Sequence, residues 1–200
     1  RVLREARLIA GLPHYHIVTV CRVGEANGVP YLTMERLEGV SMESRLKRDR
    51  WLPLAEALSL TREAAEGLVV AHEAGLVHRD IKPGNVIVCE RGGLRDVAKL
   101  LDFGLVRAPA IPGQTLTQEG LIAGTPAFMS PEQAAGRADL DGRSDLYSLG
   151  AVAYFLLTGK PPFVRQTIVE VMAAHLAEPV VTPSHHHRDV PADLEAVVLR

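Results

Sequence analysis

The sequence predicts an α+β chain that is β-rich near its N-terminus and mainly helical after it. Three observations carry this. Residues 17–23 alternate apolar and polar, and Asn27-Gly28 follows, a pair that tolerates the positive φ of a tight hairpin. Val86-Ile87-Val88 and Val97-Ala98-Lys99-Leu100-Leu101 are β-rich runs around Arg91-Gly92-Gly93. Long stretches from residue 53 onward place apolar residues at helical spacing between Pro and Gly boundaries. Of the 200 residues 47% are hydrophobic and the net charge is −2, which suits a globular core and lacks the electrostatic footprint of a nucleic-acid binder.

The elements follow in order. Val2, Leu3, Ala6, Ile9 and Ala10 recur at helical spacing until Gly11-Leu12-Pro13, so the chain opens inside a helix and residue 1 does not read as a natural start. A half-buried strand runs from Ile17 to Val23, and Tyr31-Leu32-Thr33-Met34 is its return strand, leading into Glu35-Arg36-Leu37-Glu38-Gly39. Ser41 caps a short charged helix through Arg50. Pro53 opens a long helix whose buried face is expected to carry Leu54, Leu58, Ala65, Leu68 and Val69, with Gly75 as its C-terminal cap. The hairpin around residues 91–93 is expected to hold Asn85 and Asp102 at opposite ends of one small sheet.

Residues 102–132 mix Pro, Gly, Thr and Gln with little periodicity, and a loop this long in a compact domain is usually functional. Ala151-Val152-Ala153-Tyr154-Phe155-Leu156-Leu157 reads as a buried helix that ends at Gly159-Lys160-Pro161-Pro162. No apolar run approaches the ~18 residues a membrane span needs. Cys21 and Cys89 are too few and too far apart for a disulfide framework, which points to a reducing, cytoplasmic setting, with any membrane anchor lying elsewhere in a longer protein. His185-His186-His187 reads as loop without carboxylate or Cys company, so a metal site there is not expected. A last helix spans Ala192 to Arg200.

The chemistry concentrates in His78-Arg79-Asp80-Ile81-Lys82-Pro83-Gly84-Asn85 and in Asp102-Phe103-Gly104. In this order they resemble the catalytic loop and metal-binding turn of eukaryotic-type protein Ser/Thr kinases, in wording closest to the bacterial members. The resemblance covers nearly the whole chain and implies a two-lobed α+β kinase fold truncated at both ends. Residues 1–34 would be a partial small lobe, 35–39 the hinge, and 40–200 the large lobe with an activation segment at 102–132.

What the family does at each position implies the roles. Asp80 would accept the substrate hydroxyl proton, general-base help typically worth about 10²–10⁴ in rate. Lys82 would sit on the transferring phosphoryl group, and Asn85 and Asp102 would hold Mg²⁺, with Mn²⁺ as an alternative. ATP would be bound by Glu5, Met34, Glu35, Leu37, Ile87 and Lys82. In that set Met34 stands at the adenine pocket and the Glu35 and Leu37 backbone at the adenine edge. Glu5 falls where the family has a glutamate that holds a phosphate-gripping lysine, although an exposed glutamate of an amphipathic helix would look the same. That lysine and the Gly-rich loop belong before residue 1, so these 200 residues alone are expected to be inactive.

Gly124-Thr125 through Ser130-Pro131-Glu132 resembles the end of the family's activation segment, and Thr125 would bridge Asp80 and Lys82 as in the Ser/Thr branch. His78, Arg79, Phe103, Gly104, Glu132 and Asp145 would be structural supports, Asp145 by accepting N–H groups of the catalytic loop. The family's arginine partner for Glu132 should lie beyond Arg200, leaving its carboxylate unpaired at a cost of about 3–5 kcal/mol if buried. Thr117, then Thr115, are candidate phosphosites facing Arg79, Arg1 and Arg107, which would otherwise be solvated surface charges. The implied partners are ATP, proteins bearing Ser or Thr, and another kinase copy for activation. Two other classes stay open. A pseudokinase scaffold would keep the fold and differ upstream of residue 1, and a small-molecule kinase would share the catalytic loop but lack the long segment closed by Ser130-Pro131-Glu132.

Overall fold

The computed structural model describes residues 6, 8–103 and 126–200. Strands β1 (Val20–Ala26) and β2 (Val29–Met34) pair antiparallel around Asn27 and Gly28, whose φ values of 53° and 76° are those a two-residue hairpin of this hand requires. β1 begins at Val20 and not at Ile17. Ile17 bridges in parallel to Leu100, and the Val18 N–H donates to the Leu100 carbonyl at 3.0 Å, so the first half of the alternating run is tied to the other sheet. Ala6 and Ile9, from the first helix, are buried in the core.

Helix α1 (Met42–Asp49) starts where the Ser41 hydroxyl accepts the Ser44 N–H at 3.1 Å, and it stops at Arg50 in a positive-φ conformation. Helix α2 (Leu54–Glu73) buries Ala57, Leu60, Ala64, Gly67, Leu68 and Ala71. Leu58 and Val69, expected on that face, are 44% and 54% exposed. The reason is the closeness of the neighbour: a Cβ on Gly67 would lie 3.0 Å from Leu100 Cδ1 and 3.1 Å from the His16 carbonyl oxygen. Small residues therefore face inward. Gly75, at φ 75°, turns the chain out of the helix.

Strands β3 (Gly39–Ser41), β4 (Val86–Arg91) and β5 (Leu94–Leu100) form an antiparallel sheet in that order. Val86 pairs with Leu100, so Asn85 and Asp102 stand at the same end of the hairpin, correcting the expectation of opposite ends. An antiparallel hairpin necessarily sets the start of one strand beside the end of the next. The Leu101 N–H donates to the Asn85 carbonyl at 2.8 Å across that end.

The larger lobe is completed by α3 (Pro131–Ala134), α4 (Gly142–Thr158), α5 (Ile168–Ala177), α6 (Pro183–His186) and α7 (Ala192–Val198). Helix α4 is its axis: Val152 and Leu156 are fully buried in one cluster with Leu60 and Leu68 of α2, and Gly159 ends the helix in the left-handed region. The architecture is thus two-lobed and α+β. Residues 183–186 form a single helical turn where loop was expected, because Pro183 suits the first helical position. The His186 ring packs edge-on to Tyr154 and the His187 ring lies 5.0 Å from Trp51. Among the described residues, no helix is long and apolar enough to cross a membrane.

Candidate active site

Helix α2 delivers the chain to the 78–85 loop, and helix α4 fastens that loop from below. The buried Asp145 carboxylate accepts the main-chain N–H groups of His78 and Arg79, each at 2.7 Å, and the His72 Nε2–H at 2.8 Å. The Arg79 backbone is left-handed, at φ 65°, which a non-glycine residue adopts only when its surroundings enforce it. Gln133 of α3 adds a bond to the same turn, its Nε2 donating to the Arg79 carbonyl at 2.8 Å.

The His78 imidazole joins the two motif segments. Its Nε2–H donates to the Leu101 carbonyl at 2.7 Å, its Nδ1 accepts the Asp80 N–H at 3.3 Å, and the ring packs on Phe103 at 4.6 Å. Those partners demand a neutral ring, and complete burial likewise pushes its pKa down. Asp80 projects from the far side of this turn. Its Oδ2 lies 2.8 Å from Lys82 Nζ and 2.9 Å from Asn85 Nδ2, which also donates to the Asp80 carbonyl at 2.8 Å. About a quarter of each of the Asp80 and Lys82 side chains meets solvent, so the carboxylate is open to the outside.

Asn85 spends its amide hydrogens on Asp80, so Oδ1 is its remaining polar side-chain atom. Asp102, exposed at the end of β5 with φ 44°, brings a carboxylate to the same end of the sheet. An amide oxygen just before β4 and a carboxylate just past β5 are the oxygen donors that suit a small hard cation such as Mg²⁺. In the smaller lobe β2 ends at the half-exposed Met34 and the Glu35 N–H donates to the Thr19 carbonyl at 2.9 Å, while Leu37 and Ile87 are half-buried.

Residues 1–196 match the protein kinase domain family. The chain belongs to it. Over 204 residues it is 40% identical to serine/threonine-protein kinase PknB of Mycolicibacterium smegmatis, covering the whole chain and 32% of that protein. Over 208 residues it is 41% identical to serine/threonine-protein kinase PksC of Streptomyces coelicolor, again covering the whole chain and 36% of that protein. PknB of Mycobacterium tuberculosis is 38% identical over 204 residues. The chain thus spans about a third of the length of these relatives.

In this kinase fold Asp80, Lys82 and Asn85 are joined by hydrogen bonds and Asp102 lies past β5 at the same end of the sheet, while Met34 ends β2, Glu35 and Leu37 follow it, and Ile87 lies on β4. Glu5, Gly104, Thr115, Thr117 and Thr125, with Arg1 and Arg107, lie outside the described residues. Glu132 does have a partner: the Ser144 hydroxyl donates to its Oε1. Burial pushes this carboxyl up, but that hydroxyl and a backbone N–H outweigh it and leave the pKa below the usual value. The expectation of an unpaired carboxylate is corrected accordingly, since a hydroxyl on the first turn of α4 serves where an arginine was sought.

Three contributors are not singled out by sequence. His72 and Gln133 reach the loop only through the tertiary fold and carry no local signal. Lys99 does carry one, a charge inside an apolar strand, and its side chain is fully buried against Glu35. Burial pushes the Glu35 carboxyl up, but bonds from Lys99, the Thr19 N–H and Arg91 hold it down to about 2.

Proposed function

We propose that this chain is the catalytic portion of a protein Ser/Thr kinase that moves the γ-phosphoryl group of ATP to Ser or Thr hydroxyls. The observation that carries the reading is the Asp80 carboxylate, set between Lys82 and Asn85 with Asp102 at the same end of the sheet. Asp80 takes the proton of the attacking hydroxyl while the O–P bond forms, and the bond from phosphorus to the leaving ADP oxygen breaks. The Lys82 ammonium offsets charge on the moving phosphoryl oxygens. Asn85 Oδ1 and the Asp102 carboxylate would hold Mg²⁺, which would supply positive charge against the phosphate groups of the nucleotide. The backbone of Glu35 and Leu37 takes the adenine edge, Met34 and Ile87 line its pocket, and Glu5 orients the phosphate-gripping lysine of a complete domain.

Thr125 bridges Asp80 and Lys82 in this reading, and Thr117, then Thr115, are the activating phosphosites, modified by a second kinase copy. Supporting the latter, Arg79 Nε is buried without a hydrogen-bond partner among the described residues, as a guanidinium awaiting an anion would be. Use of ATP makes the cytoplasm the expected location. The test is transfer from Mg-ATP to a protein substrate by the full-length protein, by its Asp80→Asn variant, and by the 200 residues alone. Transfer by the full-length protein, reduced about 10²–10⁴-fold by the substitution and absent from the short chain, is expected. A folded, ATP-binding full-length protein without transfer would point to a pseudokinase scaffold instead.

A further inference from the structure

We propose that Lys99 and Glu35 are positioning residues that lock the hinge to the strand carrying Asp102. Lys99 has no exposed surface, and its Nζ donates to Glu35 Oε1 at 2.6 Å and to the Ile17 carbonyl at 2.9 Å. Glu35 is gripped from two further directions, by the Thr19 N–H at 2.9 Å and by Arg91 at 2.7 Å, while its own N–H returns to the Thr19 carbonyl at 2.9 Å. One ammonium therefore joins residues 17–19, the first hinge residue and β5.

Lys99 stands one residue before the end of β5 and three before Asp102. A shift of the hinge against β5 would strand this ammonium in the interior, where an uncompensated charge is strongly disfavoured. Stability alone does not account for the pair, because a well-packed apolar pair of the same volume commonly does as well. What the ion pair adds is a single permitted geometry, fixed by directional bonds. The consequence is that the adenine edge and the metal ligand keep a set separation, so an ATP molecule meets both at once. This rests on the reading of residues 35–37 as the adenine-binding edge.

The test is steady-state kinetics and nucleotide calorimetry on the full-length protein and its Glu35→Gln/Lys99→Met double variant, which removes both charges and leaves neither orphaned. KM and Kd for the nucleotide are expected to rise about fivefold or more, with kcat and KM for the protein substrate within about twofold. Lys99→Met alone leaves Glu35 paired with Arg91 and should show an intermediate rise, which serves if the double variant does not fold. Unchanged nucleotide affinity in either folded variant overturns the proposal, as does a parallel loss in both KM values together with a lowered melting temperature. If the unsubstituted protein transfers no phosphate, the kinase reading fails, while calorimetry still decides whether the pair positions the nucleotide.

Discussion

The Asp145 carboxylate receives the backbone N–H groups of both His78 and Arg79 at 2.7 Å, so one side chain of α4, only 1% exposed, holds the loop that presents Asp80. With the His72 imidazole as a third donor, the charge is fully met by directional bonds. Asp145→Ala would leave two amides and an imidazole without an acceptor. We expect a loss of about 3–5 kcal/mol in urea denaturation, near the cost of breaking a buried pair, and activity should fall with it. A loss below about 1 kcal/mol would mean that the loop is held by other contacts.

Acid should weaken this fold in two stages. Burial depresses the pKa of His78 and of His175, whose Nδ1 lies 2.8 Å from the Tyr147 hydroxyl, below the ordinary 6.5. The unfolded chain then binds more protons, so stability is present above pH 6.5 and is lost as the pH falls below it through the folded values. Glu35 contributes a second stage, its carboxyl held down to about 2 against an ordinary 4.5, with stability present above 4.5 and lost as pH falls toward 2. Urea midpoints from pH ~8 to ~3 should show both declines, and His175→Gln should flatten the first. A flat profile down to pH ~5 would rule out neutral buried imidazoles.

Residues 78–85 and 102–103 are legible in the sequence because their chemistry is local: donors, acceptors and ligand oxygens recur at fixed short spacings. Helix caps at Ser41 and Gly159 and the Asn27-Gly28 turn are legible for the same reason. Long-range contacts are not. Hydrophobic spacing on α2 singles out Leu58 and Val69, whereas the inward face is set by how closely Leu100 and His16 approach Gly67. Alternation predicts a strand from Ile17, yet Ile17 and Val18 alternate equally well while docking on Leu100. Lys99 offers a signal, a lone charge among Val97, Ala98, Leu100 and Leu101, but its partner Glu35 stands 64 residues away.

Gly39 is the first residue of β3. It pairs with Cys89, and a Cβ there would lie 2.3 Å from the Val88 carbonyl oxygen and 2.7 Å from Cys89 Cβ. The nearest atom belongs to the backbone of a central strand and has no rotamer by which to withdraw. Gly39→Ala should therefore cost about 1–3 kcal/mol in thermal or urea denaturation, the usual cost of overpacking. A change within about 0.5 kcal/mol would show that β3 detaches from β4 without penalty.

Asn85 and Asp102 should respond differently to magnesium, because only Asn85 also orients Asp80. Its Nδ2 donates to the Asp80 carbonyl at 2.8 Å and to Asp80 Oδ2 at 2.9 Å, so Asn85→Ala removes the proposed ligand oxygen and frees the carboxylate proposed as the base. Asp102 stands exposed at the strand end, so Asp102→Asn chiefly lowers the charge offered to the cation. For Asp102→Asn the Mg²⁺ concentration giving half-maximal transfer should rise by about tenfold, with much of the rate recovered at high Mg²⁺. For Asn85→Ala, kcat should fall about 10–100-fold and stay low at any Mg²⁺ concentration, since metal does not restore the orientation of Asp80. Full recovery of Asn85→Ala at high Mg²⁺ would show that its bonds to Asp80 do not matter for transfer and that Asn85 acts as a ligand alone.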